Sequence, residues 1–298
     1  MTGEQRDFFR SHLEACLLCP RRCGVNRLAG ETGACGAGAR LKIASHCLHT
    51  GEEPPISGSR GSGTIFFSHC NLACVYCQNY PISQMGNGNF AEIEDLAGMM
   101  TTLEARGAHN INLVTATHFL PQVVEAVGLA RRKGLRLPIV YNDSGYELPE
   151  TIRMLEGVIQ VYLADMRYAT GECAAKYSGA ADYPEVNRLA VKAMLATAGH
   201  LRCKAGLAES GLIVRHLLLP SLVDETRGVL SYISTDISRS TAVSLMSQYF
   251  PANRAHLYPE INRRVTKAEH ETAVGLLEEY GLQTGWVQDP DSPGAPVA

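Results

Sequence analysis

The sequence predicts an α/β protein whose main part is a partial (β/α)6 barrel, preceded by a cysteine-rich N-terminal lobe. Six short apolar segments of strand character alternate with six amphipathic segments of helical period. This alternation favours a parallel sheet with right-handed crossovers, and continuous apolar strands indicate that both faces of the sheet are covered. We therefore expect a TIM-like barrel with its chemistry at the carboxyl ends of the strands.

The composition of the 298 residues excludes several functional classes. Hydrophobic residues make up 45% and charged residues 19%, which provides enough apolar material for a core and excludes wholesale disorder. The formal net charge of −3 argues against a broad cationic surface for nucleic acid or anionic lipid. No apolar run approaches the roughly 18 residues of a membrane span, and the first residues are too polar for a secretory signal. We expect a cytoplasmic protein without a nucleic-acid or membrane partner.

The character of the sequence changes near residue 55. Residues 1–55 carry Gly, Cys and Arg without a sustained period, which predicts a loop-rich lobe that a metal stabilises. Residues 56–298 carry the alternating pattern and form the predicted barrel domain. Its strands are expected at 64–68, 111–116, 138–141, 158–164, 212–219 and 241–246, with a further strand at 285–288. Its helices are expected at 92–106, 120–133, 149–155, 184–198, 225–234 and 266–280, and three of them end at Gly107, Gly134 and Gly281, which favour the left-handed helix cap.

Three cysteines follow the first predicted barrel strand. Cys70, Cys74 and Cys77 have the spacing C-x3-C-x2-C, which places three thiolates on one short loop. A closed zinc site or a fully ligated iron–sulfur cluster needs four ligands. A [4Fe–4S] cluster on this loop would therefore keep one iron open to a small molecule. The alternative is a zinc site completed by a further cysteine or by His69.

This loop, with Tyr76 in its aromatic position, resembles the C-x3-C-x-aromatic-C signature of the radical S-adenosylmethionine (SAM) enzymes. The resemblance covers residues 61–288 and is of the kind shown by proteins related to pyruvate formate-lyase activating enzyme. It implies that the open iron chelates the amine and carboxylate of SAM and that the reduced cluster donates one electron. The resulting 5′-deoxyadenosyl radical then abstracts hydrogen from a substrate.

Carried over position by position, the resemblance implies a set of cofactor contacts. Cys70, Cys74 and Cys77 match the cluster ligands, and Tyr76 matches an aromatic side chain near the adenine. The remaining matches lie at the ends of later strands. Asn142 and Ser144 stand where the family has a Thr-Asn-Gly turn, and Asp165 and Arg167 stand where it has Asp-x-Lys. Arg215 matches an arginine of the fifth strand. Arg167 offers a cation for the methionyl carboxylate, although its planar guanidinium differs from an ammonium group.

The sequence departs from the family pattern after the second strand. The usual Gly-Gly-Glu is replaced by residues 115–119, where Thr117 and His118 are candidates for holding the methionyl amine. A histidine that simply begins a helix is the alternative for His118. Gln248, at the end of the sixth strand where activases often have histidine, is a further candidate cofactor contact, with ordinary packing as its alternative. No catalytic residue is assigned.

A second cysteine cluster lies near the N-terminus. Cys16, Cys19, Cys23 and Cys35 supply enough thiolates to close a metal site in a region that lacks the periodicity of a folded core. A second [4Fe–4S] cluster and a zinc ion both satisfy this ligand count, and reduced free thiols are the alternative.

Three functions are compatible with these features. The first is a glycyl-radical-enzyme activating protein, which would use a flavodoxin- or ferredoxin-type electron donor. The second keeps the radical chemistry but acts on a small molecule or peptide, and the N-terminal lobe favours it because the simplest activases lack such a lobe. The third is a non-catalytic electron carrier or interaction protein, which would not need the six βα units or the polar strand ends.

Overall fold

The structure is a computed structural model in which residues 2–289 are described, so residues 290–298 of the predicted barrel domain lie outside the described residues. One sheet with the strand order β10-β9-β8-β6-β5-β4-β2-β1-β3 organises the fold. Its strands are β1 Leu41–His49, β2 Ser62–Phe67, β3 Asn89–Ala91, β4 Ile111–Val114, β5 Ile139–Asp143, β6 Val161–Asp165, β8 Leu207–Leu217, β9 Ala242–Met246 and β10 Gly285–Val287, and β7 Arg202–Lys204 pairs only with β8.

All neighbouring strands from β2 to β10 along this order are parallel, whereas β1 pairs antiparallel with both β2 and β3. The sheet remains open between β10 and the β1–β3 edge. The predicted partial barrel is therefore confirmed, and its strands lie within a few residues of the predicted positions. Within residues 2–289, no helix combines the length and the apolar character that crossing a lipid bilayer requires.

Ten α-helices accompany this sheet in the described residues, and the longer ones cover its outer face. The ten are α1 Gly3–Glu14, α2 Pro54–Ser57, α3 Tyr80–Ser83, α4 Ile93–Ala105, α5 Leu120–Arg132, α6 Pro149–Arg153, α7 Gly171–Ser178, α8 Tyr183–Ala198, α9 Val223–Tyr232 and α10 Lys267–Glu279. In α4, the helical spacing places Leu96, Met100 and Leu103 on one fully buried face. The three predicted cap glycines, Gly107, Gly134 and Gly281, have φ angles of 92°, 105° and 67°, which confirms the predicted helix ends.

The prediction that residues 1–55 are loop-rich is wrong in two places. Helix α1 begins with a capping box between Thr2 and Gln5 and buries Phe9. Strand β1 pairs with β2 from Ile43 opposite Phe67 to His49 opposite Ser62, and so belongs to the barrel sheet. Both elements lack a strong sequence pattern, because α1 buries only two side chains and β1 is mostly half-buried.

The inward face of the barrel has two layers. Because side chains alternate along a strand, Val140 and Asn142 on β5 face the same side, as do Ile213 and Arg215 on β8. The first member of each pair belongs to a buried apolar cluster that also contains Ile56 of α2. The second member lines a large cavity nearer the carboxyl ends of the strands. Helix α2 therefore closes the amino-terminal end of the barrel, and the polar layer above it forms the site.

Replacing Ile56 with alanine should test this closure. The side chain is fully buried, so the Ile56→Ala variant should lose about 2–5 kcal/mol of unfolding free energy through lost burial and the cavity that remains. Urea unfolding measures this loss. Leu28→Ala serves as the control, because Leu28 is 56% exposed and its replacement should cost little. Equal costs for the two variants would contradict the packing described for α2.

Candidate functional site

The three-cysteine loop leaves β2 through a strained turn. His69 has a φ of 73°, a left-handed conformation that is uncommon for residues other than glycine and is frequent at functional sites. The loop is then held on both sides by main-chain hydrogen bonds, because Val75 N–H donates to the carbonyl of Tyr177 and Arg254 N–H donates to the carbonyl of Val75, each at 2.8 Å. Its cysteines thus project from a rigidly supported segment.

Each sulfur of this loop faces a polar group. Leu72 N–H donates to Cys70 Sγ at 3.4 Å, Arg167 Nη1 donates to Cys74 Sγ at 3.0 Å, and Ser83 Oγ lies 3.2 Å from Cys77 Sγ. Such contacts stabilise negative charge on sulfur. Burial acts in the opposite direction and raises the pKa of the Cys70 thiol to about 12. A bound metal centre is the kind of positive charge that would offset this burial, because ligation requires the thiolate form.

An alternating series of buried charges runs from the loop into the barrel. Arg167 Nη2 lies 2.6 Å from Asp165 Oδ2, and Arg215 Nε lies 3.1 Å from Asp165 Oδ1. Arg215 Nη1 also lies 3.2 Å from Glu52 Oε2. Burial alone would raise the pKa of Asp165, but the two arginines outweigh it and hold that pKa below its usual value. The structure therefore brings together Asp165, Arg167 and Arg215, three of the candidate cofactor residues, and adds Glu52, which the sequence analysis missed.

A cavity of about 690 Å³ occupies the polar layer of the barrel, a volume within the usual range for ligand sites. Gln78 and Asn79, which follow Cys77 directly, line one part of it, so the cavity reaches the cysteine loop. His49 at the end of β1 and Trp286 on β10 line another part. Because β10 ends the sheet on one side, and His49 lies beyond the short stretch of β1 that pairs with β3 on the other, the cavity also reaches the gap in the barrel.

Two of the other predicted cofactor residues, Asn142 and Gln248, line the large cavity together with Arg215. Ser144 is buried, and its Oγ has no hydrogen-bond partner among the described residues. Tyr76 is buried beside the loop, with its hydroxyl 2.6 Å from that of Tyr168.

Thr117 and His118 lie elsewhere. Thr115 has a φ of 58°, so the chain turns sharply at the end of β4, where the resembling family has glycines. The Thr117 hydroxyl then donates to the buried carboxyl group of Glu147. His118 Nε2 lies 2.7 Å from the carbonyl oxygen of Ser68, and its ring lines a second, smaller cavity. The structure thus does not bring these two side chains into the large cavity.

The four N-terminal cysteines line this second cavity together. Ala34 N–H donates to Cys23 Sγ at 3.3 Å, and a side chain at Gly33 would approach this sulfur to 2.6 Å. Burial raises the pKa of Cys19 to about 12, against a backbone hydrogen bond from Arg21. Within residues 2–289, no three histidine, cysteine or acidic side chains stand in the geometry that holds a single metal ion. The structure therefore shows that a common cavity is lined by Cys16, Cys19, Cys23 and Cys35.

The N-terminal lobe packs directly against the three-cysteine loop. Arg21 Nε donates to the carbonyl of Asn71 at 2.9 Å, and Asn71 lies between two residues of the loop signature. The rings of His69 and His118 are 6.2 Å apart, with His69 next to Cys70 in sequence and His118 lining the smaller cavity. The two cysteine groups are therefore neighbours in the fold, although β1, α2 and β2 lie between them in sequence.

Comparisons with known proteins identify one domain family and one relative. A model of the radical SAM superfamily matches residues 64–164. The uncharacterized protein MJ0674 of Methanocaldococcus jannaschii is 31% identical over 277 residues, which are 90% of this chain and 75% of the relative.

Two solved structures share the fold. SuiB of Streptococcus suis, bound to the precursor peptide SuiA, has a TM-score of 0.52 at 10% identity, with 74% of this chain and 46% of SuiB covered. HydG, a maturase of the [FeFe]-hydrogenase, has a TM-score of 0.50 at 11% identity, with 73% of this chain and 48% of HydG covered. The chain thus spans about half the length of these solved proteins. The superfamily match shows that the chain contains a radical SAM superfamily domain, and enzymes of this superfamily use a [4Fe–4S] cluster and SAM.

Proposed function

We propose that this chain is a glycyl-radical-enzyme activating protein that abstracts hydrogen from a protein segment placed in the large cavity. The observation that carries this proposal is the continuity of the cavity with both the three-cysteine loop and the gap in the barrel. A radical formed beside the loop would meet a substrate that enters through the gap. When bound, the cluster and SAM supply the electron and the 5′-deoxyadenosyl radical.

The residues present fit these two groups. Cys70, Cys74 and Cys77 would hold the cluster, because their sulfurs already face hydrogen-bonding partners. Ser144 Oγ and Asn142 would bind polar groups of SAM, since the first is buried without a partner and the second lines the cavity.

Arg167 would serve two purposes in this arrangement. Its guanidinium group is fixed by Asp165 on one side and directed at Cys74 Sγ on the other. It would thus hold the cysteine as a thiolate and keep positive charge near the position of the methionyl carboxylate. A flavodoxin- or ferredoxin-type protein is the proposed electron donor.

A second candidate is radical chemistry on a peptide or small molecule. The N-terminal lobe favours it, because this lobe packs against the loop and the simplest activases lack one. SuiB, which shares the fold, is described with a bound precursor peptide. The non-catalytic carrier considered from the sequence is not retained, because the superfamily match indicates an enzyme.

Cleavage of SAM tests the assignment of the loop. Anaerobic, iron-reconstituted and reduced protein should release 5′-deoxyadenosine and methionine, and Cys74→Ala should reduce this release at least about 100-fold, because one cluster ligand is lost. Liquid chromatography of both products measures it. Cys173→Ala is the matched control, since Cys173 belongs to neither cysteine group, and it should retain the wild-type rate. Equal rates for the two variants would refute the ligand assignment.

A partner assay tests the activase proposal. A glycyl-radical enzyme incubated with the reduced protein and SAM should develop the electron paramagnetic resonance signal of a glycyl radical. Replacement of the partner's radical glycine by alanine should abolish this signal, because the abstracted hydrogen is then missing. If SAM is cleaved but no candidate partner acquires the signal, the second candidate function replaces the first.

The N-terminal quartet is proposed to hold a metal centre of its own. Its four cysteines share one cavity, and the neighbouring amides that contact Cys19, Cys23 and Cys35 would stabilise bound thiolates. The double variant Cys16→Ser with Cys19→Ser should lose either about four iron ions per chain, for a cluster, or one zinc ion.

Inductively coupled plasma mass spectrometry of the anaerobically purified protein measures both metals. Cys203→Ser is the control, because Cys203 is isolated and exposed. An unchanged metal content in the double variant would mean that the quartet consists of free thiols.

A further inference from the structure

One carboxyl group in the large cavity has no hydrogen-bond partner. Glu53 lines the cavity, is only 7% exposed, and its Oε2 is buried without a partner in the described part of the chain. Its main chain caps α2, but its side chain takes no part in that cap. A buried carboxylate without a hydrogen bond is costly, so its presence beside a cavity points to a ligand that would satisfy it.

The arginines near Glu53 donate their hydrogen bonds to other groups. The nearest cation, Arg215, already donates to Glu52 and Asp165, and Arg167 is directed at Asp165 and Cys74. Arg215 also attracts Glu53 electrostatically, and burial raises the pKa of the neighbouring Glu52 to about 7, but neither arginine donates a hydrogen bond to Glu53. Arg264 and Asp289 also line the cavity, but both are exposed and therefore lie toward its mouth.

The rest of the cavity wall favours a ligand with an aliphatic or aromatic body. Phe66, Val114, Met246 and Trp286 line it together with the polar groups described above. Apolar walls around one unpaired carboxylate select for an apolar chain that ends in a positive charge. They select against an anionic group, which would meet Glu53 without a hydrogen-bond donor of its own.

The position of Glu53 separates it from the loop that binds the cofactor. It follows directly on Glu52, which contacts Asn112 in the middle of β4, and it precedes the α2 helix that closes the amino-terminal end of the barrel. The cysteine loop lies at the opposite, carboxyl-terminal side of the strands. A ligand that reaches both would have its charge at Glu53 and its uncharged part near the cluster.

We propose that Glu53 is the substrate-recognition residue of this cavity and that the substrate carries an ammonium or guanidinium group, as in a lysine or arginine side chain. This inference deepens the proposed function and rests on it, because it assigns the cavity to the substrate of the radical reaction. It adds the charge of the group that is recognised, which neither the superfamily match nor the resemblance provides.

Trp286 provides a direct measurement of occupancy. It is the single tryptophan of the chain, and it lines the same cavity as Glu53. Iron-loaded protein with saturating SAM is titrated with N-acetyl-lysine amide, and with N-acetyl-norleucine amide as its uncharged counterpart, while tryptophan fluorescence is recorded. Equilibrium dialysis of the radiolabelled lysine probe provides a second measurement that does not depend on fluorescence.

The lysine probe should bind at least about tenfold more tightly than the norleucine probe, because only the ammonium group can pair with Glu53. Glu53→Gln, which preserves size, should weaken binding of the lysine probe about tenfold and leave the norleucine probe unchanged. Glu271→Gln is the matched control, since Glu271 is an exposed residue of α10, and it should change neither value. Thermal unfolding of each variant shows whether it remains folded.

Two results would overturn the inference. The first is equal binding of the two probes, or no binding of either by dialysis. The second is a Glu53→Gln variant that loses affinity for SAM instead of the lysine probe, which would assign the carboxylate to the cofactor. Release of 5′-deoxyadenosine is measured in the same preparations to distinguish the two proposals. Cleavage of SAM without preference for the lysine probe refutes the substrate inference alone. Preference for the lysine probe without cleavage of SAM refutes the proposed function.

Discussion

The buried series of charges that runs from Glu52 through Arg215, Asp165 and Arg167 to the sulfur of Cys74 is the interaction on which the site depends. Its members come from the segment after β1, from β8, from the end of β6 and from the cysteine loop. Removing one partner of a buried pair typically costs about 3–5 kcal/mol, because the other charge remains buried and unpaired. The series therefore couples the position of Cys74, the proposed cluster ligand, to the packing of the barrel interior. Positive and negative charges alternate along the whole series only when Cys74 is a thiolate, which is the form of cysteine that binds iron.

The layered interior of the barrel explains why a reactive site can be built here. Below the charged layer, Ile56 and the apolar residues around it close the amino-terminal end. Above it, the strand ends carry polar side chains to a cavity that remains open on one side, because β10 does not pair with the opposite edge of the sheet. A closed barrel of this size is filled by its own side chains. The open sheet instead leaves a cavity that can hold a cofactor and a substrate together. The unpaired carboxyl group of Glu53 makes this cavity favour a positively charged ligand, as proposed above.

The N-terminal lobe adds a second set of thiols at short distance from the first. Its contact with the cysteine loop through Arg21, and the neighbouring rings of His69 and His118, place the quartet behind the loop and away from the large cavity. This arrangement suits a centre that stabilises the loop or exchanges electrons with it. It does not suit direct contact with a substrate in the barrel, since the two cavities share none of their lining residues.

The sequence by itself determined the parallel alternation of strands and helices, the strand ends that carry the site, and the grouping of both sets of cysteines. These features depend on local periodicity and on spacing within a few residues, which a single sequence records. Tertiary structure alone decided that β1 joins the barrel, that Thr117 and His118 turn away from the large cavity, and that Glu52 and Glu53 enter it. Each of these depends on how distant segments pack. The segment of β1 forms a strand only because it pairs with β2. Glu52 and Glu53, which precede two prolines, reach the site only because α2 packs into the end of the barrel.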